Sequence, residues 1–176
     1  ERVHFGLEQE PVTVRDGYSM WRDTFDERGR VVQTAFYGVD GKPARHRDGY
    51  VGFLDTMDER GQRVQRTFFG LDDELALHKD GYAIKRTVFD DRGNRVEVSF
   101  YGLDDERVLN VQGVAGSRNR YDARGNLIEV AYIGADGKPV LHADGYAMWR
   151  GQYDARGQLV ETRYFGEAGN PILHVD

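Results

Sequence analysis

This sequence predicts an all-β fold built from five tandem β-hairpin repeats. Three observations carry the expectation: a strict 32-residue period, a glycine-bearing turn once per period, and alternating runs of aromatic and β-branched residues on either side of it. "DGY" or its counterpart begins at Asp16, Asp48, Asp80, Gln112 (as "QGV") and Asp144, and Asp176 would open a further copy. Residues 1–15 then read as a half repeat, followed by full repeats at 16–47, 48–79, 80–111, 112–143 and 144–175, in a single repeat domain over 1–176. The leading half repeat and the start at Glu1 make a fragment of a larger protein the expected origin.

The turn comes first because it recurs with its chemistry intact. Asp26, Asp58, Asp90, Asp122 and Asp154 each stand three residues before Gly29, Gly61, Gly93, Gly125 and Gly157, in the pattern Asp-x-Arg-Gly. A leading Asp can cap a type I turn by accepting backbone N–H groups, and the Gly supplies the left-handed residue of a bulged hairpin loop. "FDERGR", "MDERGQ", "FDDRGN", "YDARGN" and "YDARGQ" are therefore predicted hairpin tips. The flanks "GYSMWRDTF" and "VVQTAFYG", with their counterparts in later copies, are about eight residues long and read as strands. The linkers "VDGKPARHR", "ADGKPVLHA" and "EAGNPILHV" add a Gly-x-Pro turn and a short extended piece. Copies two and three, with "LDDELALHK" and "LDDERVLNV", are expected to replace that turn. The array is expected to be an elongated solenoid or twisted meander, with a closed, propeller-like array as the alternative.

Pairing across the tip assigns faces. Trp21, Phe25, Val32, Thr34 and Phe36 should share a core face, as should Phe89, Val96, Val98 and Phe100 in the third copy. Tyr18, Tyr37, Arg22 and Gln33 should share the other. The same register sets Arg86 by Glu97, Arg118 by Glu129 and Arg150 by Glu161, unless a bulge shifts it.

Composition removes several functions. The chain has no cysteine, which excludes disulfides, zinc thiolate sites and thiol nucleophiles. A net charge of −6, with both signs interspersed, argues against a nucleic-acid partner. No apolar run approaches the ~20 residues of a helical membrane span, so no membrane insertion is expected. Arginine outnumbers lysine 20 to 4, which suits planar pairing and stacking on aromatics, though a GC-rich genome would give the same bias.

At "YDARGNLIEV" and "YDARGQLVET" the chain resembles the YD repeats of the Rhs family, in which a Tyr-Asp pair precedes a glycine turn and a strand. The whole unit, with "DGKP" and "GYA", also resembles the hairpin arrays of WG and MORN-like repeats. It departs from Rhs shells in repeat length and from WG repeats in lacking a regular Trp-Gly step. The resemblance implies a non-catalytic shell, spacer or recognition module within a larger protein.

Candidate sites are weighed against that background. His46, His78, His142 and His174 occupy one repeat position, filled by Asn110 in the third copy. A metal ladder would need a second ligand type to travel with them, and Asn in place of His points to hydrogen bonding instead. The tips offer one Asp each, usually beside an arginine, rather than the converging oxygens of a calcium loop. "LDDE" (71–74) and "LDDER" (103–107) read as solvated loops. No Gly-x-Ser-x-Gly elbow or phosphate-binding glycine fingerprint is present, and the carboxylates recur with the period. No enzyme, metal or cofactor is expected. Repeated aromatics at Tyr18, Tyr50, Tyr82 and Tyr146, and at Trp21, Phe53 and Trp149, could stack sugars, although a stacked β core needs the same pattern. Repeat four is the individual one, where "QGVAGSRNR" brings Val114, Gly116 and Ser117 and a local gap that would be a bend or a pocket. The candidate binding residues are thus Tyr18, Trp21, Tyr50, Phe53, Gly116, Ser117, Tyr146 and Trp149. The expected partner is a protein or the remainder of the parent chain, with a polysaccharide as the alternative.

Overall fold

The structure, a computed structural model, describes residues 2–5 and 10–173. It is all-β, with β1 (Arg2–Val3), β2 (Met20–Phe25), β3 (Val31–Tyr37), β4 (Gly52–Met57), β5 (Arg63–Phe69) and β6 (Ile84–Phe89). There follow β7 (Arg95–Tyr101), β8 (Gly116–Tyr121), β9 (Leu127–Ile133), β10 (Met148–Tyr153), β11 (Leu159–Phe165) and β12 (Pro171–Ile172). Hydrogen-bonded neighbours follow chain order from β1 to β12, so the fold is a meander. The closed alternative is set aside, because β1 and β12 stand at opposite ends of that order. Two compact units divide the chain, one of Glu1–Lys85 with Gly102–Asp104 and the other of Arg86–Tyr101 with Asp105–Asp176.

Each tip has the predicted construction. Asp26 N–H donates to the Arg30 carbonyl and Gly29 N–H to the Asp26 carbonyl, both at 2.9 Å, with Gly29 at φ 74°. The Asp26 carboxylate accepts the N–H groups of Arg28 and Arg30 at 2.9 Å. Asp90, Asp122 and Asp154 repeat the arrangement. The Arg30 N–H holds the Asp26 carboxyl below its ordinary range, and the Asn94 and Asn126 side-chain amides, followed by the backbone bonds, do the same for Asp90 and Asp122. The extra residue at the tip shifts the ladder between Thr24 and Phe25, and the same bulge recurs in β4, β8 and β10.

The register of the ladder decides which charges meet. Arg118 faces Ala131 within its own hairpin, and Arg150 faces Arg163. Their carboxylate partners lie one repeat back: Arg118 opposite Glu97, and Arg150 opposite Glu129 at 2.7 Å. The expected pairs Arg118–Glu129 and Arg150–Glu161 are therefore corrected from within a hairpin to between hairpins. Arg86 turns from Glu97 to Asp105, at 2.7 Å, while lying over the Tyr101 ring.

The linker turn also differs from expectation. It persists in copies two and three, where Asp73 (φ 58°) and Asp105 (φ 61°) take the left-handed position that Gly41, Gly137 and Gly169 hold elsewhere. A small side chain able to bond locally tolerates that conformation better than most.

The core of each unit is built from small buried residues beside rings. Val51 and Ala83 in the first unit, and Ala115 and Ala147 in the second, are almost wholly buried. Val51, Ala115 and Ala147 are each clamped on both sides, as Val51 is by accepting from Phe36 N–H and donating to the Phe69 carbonyl. Phe25 departs from the predicted core face and is exposed. Its counterparts Tyr121 and Tyr153 reach back to carbonyls of the preceding hairpin, whereas β1 covers only Met20 and Trp21.

Candidate functional site: the turn and ring column

The residue position shared by the histidines forms a third turn of the same design as the tip. His46 N–H donates to the Tyr50 carbonyl, Gly49 N–H to the His46 carbonyl, and His46 Nδ1 accepts Asp48 N–H at 3.1 Å. His78 and His142 accept Asp80 and Asp144 N–H in the same way. Asn110 Oδ1 does the work in the third copy, accepting Gln112 N–H at 2.9 Å and Val114 N–H at 3.2 Å. The histidine is a turn cap. His174 lies outside the described residues. A signal for this turn was available: "HRDG", "HKDG" and "HADG" space a cap and a glycine just as "DERG" does.

In the first unit these turns build a column of rings. Tyr18, His46, Tyr50, His78 and Tyr82 follow one another with centroids 5.0–5.8 Å apart and interplanar angles of 17–25°. Phe36 and Phe68 pack behind, at 4.5 Å from Tyr18 and 4.6 Å from Tyr50. Tyr18 therefore belongs with Phe36, and its expected place beside Tyr37 is corrected. The turn before β2 breaks the two-residue alternation on which that placement rested. Tyr37 instead carries the Arg22 guanidinium over its face. In the second unit the stack is shorter, with Tyr132 against His142 at 4.6 Å and Tyr146 against Tyr164 at 4.8 Å.

Charge gathers around the first column. Asp48 lies 2.9 Å from Lys79 Nζ and 3.6 and 3.8 Å from His46 and His78. Burial alone would raise its carboxyl, but Lys79 and the two rings hold it below its ordinary value. Burial depresses His78, against the opposing pull of Asp80 and Asp48. Burial likewise raises the Tyr18, Tyr50, Tyr82 and Tyr146 hydroxyls. Backbone bonds tie consecutive turns together, from Arg47 N–H to the Asp16 carbonyl and from Lys79 N–H to the Asp48 carbonyl. Arginines do the same at the tips, where Arg28 reaches the Glu59 carbonyl at 2.8 Å and Arg124 the Ala155 carbonyl at 2.9 Å.

A second polar line runs through the core face. Asp55, almost fully buried, accepts two bonds from Arg66 at 2.7 and 2.6 Å and one from Arg63 at 3.3 Å. The Arg66 guanidinium lies 3.7 Å from the Phe53 ring centroid. Asp23 accepts the Thr34 hydroxyl at 2.8 Å in the first repeat. In the second unit the same position holds Asn119, which donates to the Arg95 carbonyl at 2.8 Å and keeps a buried oxygen without a partner. Sequence reading missed this line because acidic residues in a polar-looking strand suggest solvent.

Among the candidate binding residues, Tyr50, Tyr146 and Gly116 are buried, while Tyr18, Trp21, Phe53, Ser117 and Trp149 are half-buried. Trp21 packs against His4 and Tyr18, and Trp149 lies beside Gly151. At Gly116 the strands close up rather than leaving a gap. A Cβ built there would sit 2.1 Å from the Val98 carbonyl oxygen, so β8 approaches β7 as only glycine allows. Among the described residues, no group of three His, Cys, Asp or Glu side chains could hold a metal ion, and no helix is long and apolar enough to cross a membrane.

The fold and its turns define a tandem β-hairpin repeat module. No family model matches the chain, and no curated protein does. One solved structure similar to it is the Photorhabdus luminescens Tc holotoxin pore, at 14% identity and a TM-score of 0.48 over 86% of this chain. The match spans 8% of that much longer chain.

Proposed function

We propose that this chain is a non-catalytic repeat module for protein recognition or scaffolding within a larger protein. One contrast carries the reading. The polar groups that could do chemistry are engaged in holding turns and repeats together, whereas apolar side chains recur in solvent. Leu77, Leu109 and Leu141 share one repeat position, and Val39, Leu71 and Leu103 another, all between 44 and 57% exposed. Periodic exposed aliphatics on a backbone held by turns suit a surface that meets another protein. Glycan binding is the second reading, favoured by the solvent-facing parts of Trp21, Phe53 and Trp149. In that reading Tyr18 and Ser117 line the contact, with Tyr50, Tyr146 and Gly116 supporting it from below.

Affinity capture separates the two. Immobilised chain is challenged with extract of the source cells and with cell-envelope polysaccharide, beside a Leu77→Ser/Leu109→Ser/Leu141→Ser variant and a Trp21→Ala/Trp149→Ala variant of matched folding. A protein retained by the wild type and the tryptophan variant, but lost from the leucine variant, is the expected result. Polysaccharide retained by the wild type and lost from the tryptophan variant would replace it with the glycan reading. Prey held equally by all three chains would remove both surfaces.

A further inference from the structure

Neighbouring hairpin tips enclose clefts, and one of these, in the second unit, holds an unmet hydrogen-bond acceptor. It lies between the third and fourth tips (90–93 and 122–125) and has a volume of about 340 Å³. Asp90, Arg92 and Asn94 line one side, and Asn119, Tyr121 and Asp122 the other. Two contacts tie the sides together. Arg92 reaches the Ala123 carbonyl at 3.0 Å, and the Tyr121 hydroxyl donates to the Arg95 carbonyl at 3.2 Å. Asn119, only 7% exposed, donates its Nδ2 to that same carbonyl at 2.8 Å, while its buried Oδ1 has no partner. An unpaired buried acceptor is a standing cost to the fold, and a donor entering the cleft removes it.

The groups left over select the ligand. The Asp90 carboxylate already accepts the N–H groups of Arg92 and Asn94 and the Asn94 side-chain amide, and Arg124 and Asn126 engage Asp122 in the same way. Asn119 and Tyr121 together fill both lone pairs of the Arg95 carbonyl, so the acceptor capacity that remains is on Asn119 Oδ1 and the Tyr121 oxygen. Asp90 and Asp122 are offset by Arg92 and Arg120, which leaves the lining without net formal charge. A fitting ligand therefore donates hydrogen bonds, carries no charge and offers an apolar face to the half-buried Tyr121 ring. We infer that this cleft binds a neutral hexose unit, with a hydroxyl donating to Asn119 Oδ1 and a C–H face against Tyr121. The corresponding cleft between the first and second tips lacks each of these features. There Asp26, Glu27, Asp58 and Glu59 meet only Arg28 and Arg30, and Met57 stands in place of Tyr121. Asp55, at the position of Asn119, has its oxygens taken by Arg66 and Arg63. The hexose site shares no residue with the leucine and tryptophan surfaces of the proposed function, so it stands or falls independently of them.

Titration of the 176-residue chain with D-glucose, D-galactose and D-mannose at millimolar concentrations, followed by NMR, tests this. At least one hexose should shift the Asn119 side-chain amide and the Tyr121 backbone resonance in a saturable way. Asn119→Thr and Tyr121→Met copy residues this chain already uses at the same repeat positions, Thr87 and Met57, and so keep the fold. Each should weaken hexose binding by about three- to tenfold. Trp21→Ala/Trp149→Ala should bind as the wild type does. Glucuronate and glucosamine should bind no more tightly than glucose, and tighter binding of either would overturn the assignment to a neutral sugar. No saturable shift at Asn119 or Tyr121 with any of the three hexoses, or an affinity unchanged in both cleft variants, overturns the inference.

Discussion

Around His78, in the first unit, the third turn is capped by an imidazole that stacks between Tyr50 and Tyr82 and lies against Phe68. Around Asn110, in the second unit, the same turn is capped by an amide, and Val114 stands where Tyr82 does. Both turns close with the same backbone bonds, His78 N–H to the Tyr82 carbonyl and Asn110 N–H to the Val114 carbonyl. The comparison separates two roles that one residue combines. The turn requires an acceptor two residues before an N–H, and the ring is an addition that packs where neighbouring rings allow it. Repeats in this chain can therefore exchange their ring column while keeping their backbone, provided each turn keeps its cap and its glycine.

The largest difference between the units should appear at the buried polar line. Asp55→Ala leaves Arg66, and partly Arg63, without a carboxylate. A fully buried broken pair costs roughly 3–5 kcal/mol, and the portion of Arg66 still in solvent brings the expected loss to about 2–3 kcal/mol. Asn119→Ala at the equivalent position loses one bond to the Arg95 carbonyl and also removes an oxygen that had no partner, so about 1 kcal/mol or less is expected. Urea denaturation of the two variants measures the contrast. Equal losses would show that the charged pair contributes no more than the amide.

The effect of pH on the turn caps should be intermediate. Burial holds the folded His78 below its ordinary value of 6.5, so the unfolded chain binds the extra proton first. Its contribution is complete above about pH 6.5 and declines as pH falls from there towards the folded value. Protonation also removes the Nδ1 acceptor that closes the turn. His78→Asn copies the Asn110 turn and should flatten the fall in melting temperature between pH 7.5 and 5.5. A slope unchanged by the substitution would place the sensitivity elsewhere.

The smallest effect concerns the linker turn, where Gly41 and Asp73 share a position in the first unit. Asp73→Gly relieves a left-handed side chain but frees the unfolded chain, leaving a net gain of about 0.5 kcal/mol. Thermal melting that shows a loss instead would mean that the Asp73 side chain contributes to the turn.

The period, the tips and the strands could be read from sequence because their causes are local. Asp26 caps a turn four residues long, Gly29 supplies its positive φ, and each recurs every 32 residues. The third turn was equally local, yet its cap is a histidine, a residue more readily weighed as a ligand than as a backbone acceptor. Charge pairing was harder, since the observed ladder sets Arg150 opposite Arg163, two residues from Glu161, and opposite Glu129 on its other side. Gly116 looked like a gap in the sequence, because a missing side chain does not reveal that the neighbouring backbone has moved in to meet it.

By itself the sequence determined the all-β class and the conformation of each tip, since these follow from φ preferences and side-chain caps acting over a few residues. Only the tertiary structure decided that Asp55 lies buried under Arg66, that Tyr18 and His46 share a column, and that Glu97 and Glu129 reach arginines of the next repeat as well as of their own. Those outcomes depend on register and on what stacks against each hairpin. A one-residue bulge resets the register, and contacts some 30 residues apart in the chain choose the stacking partner.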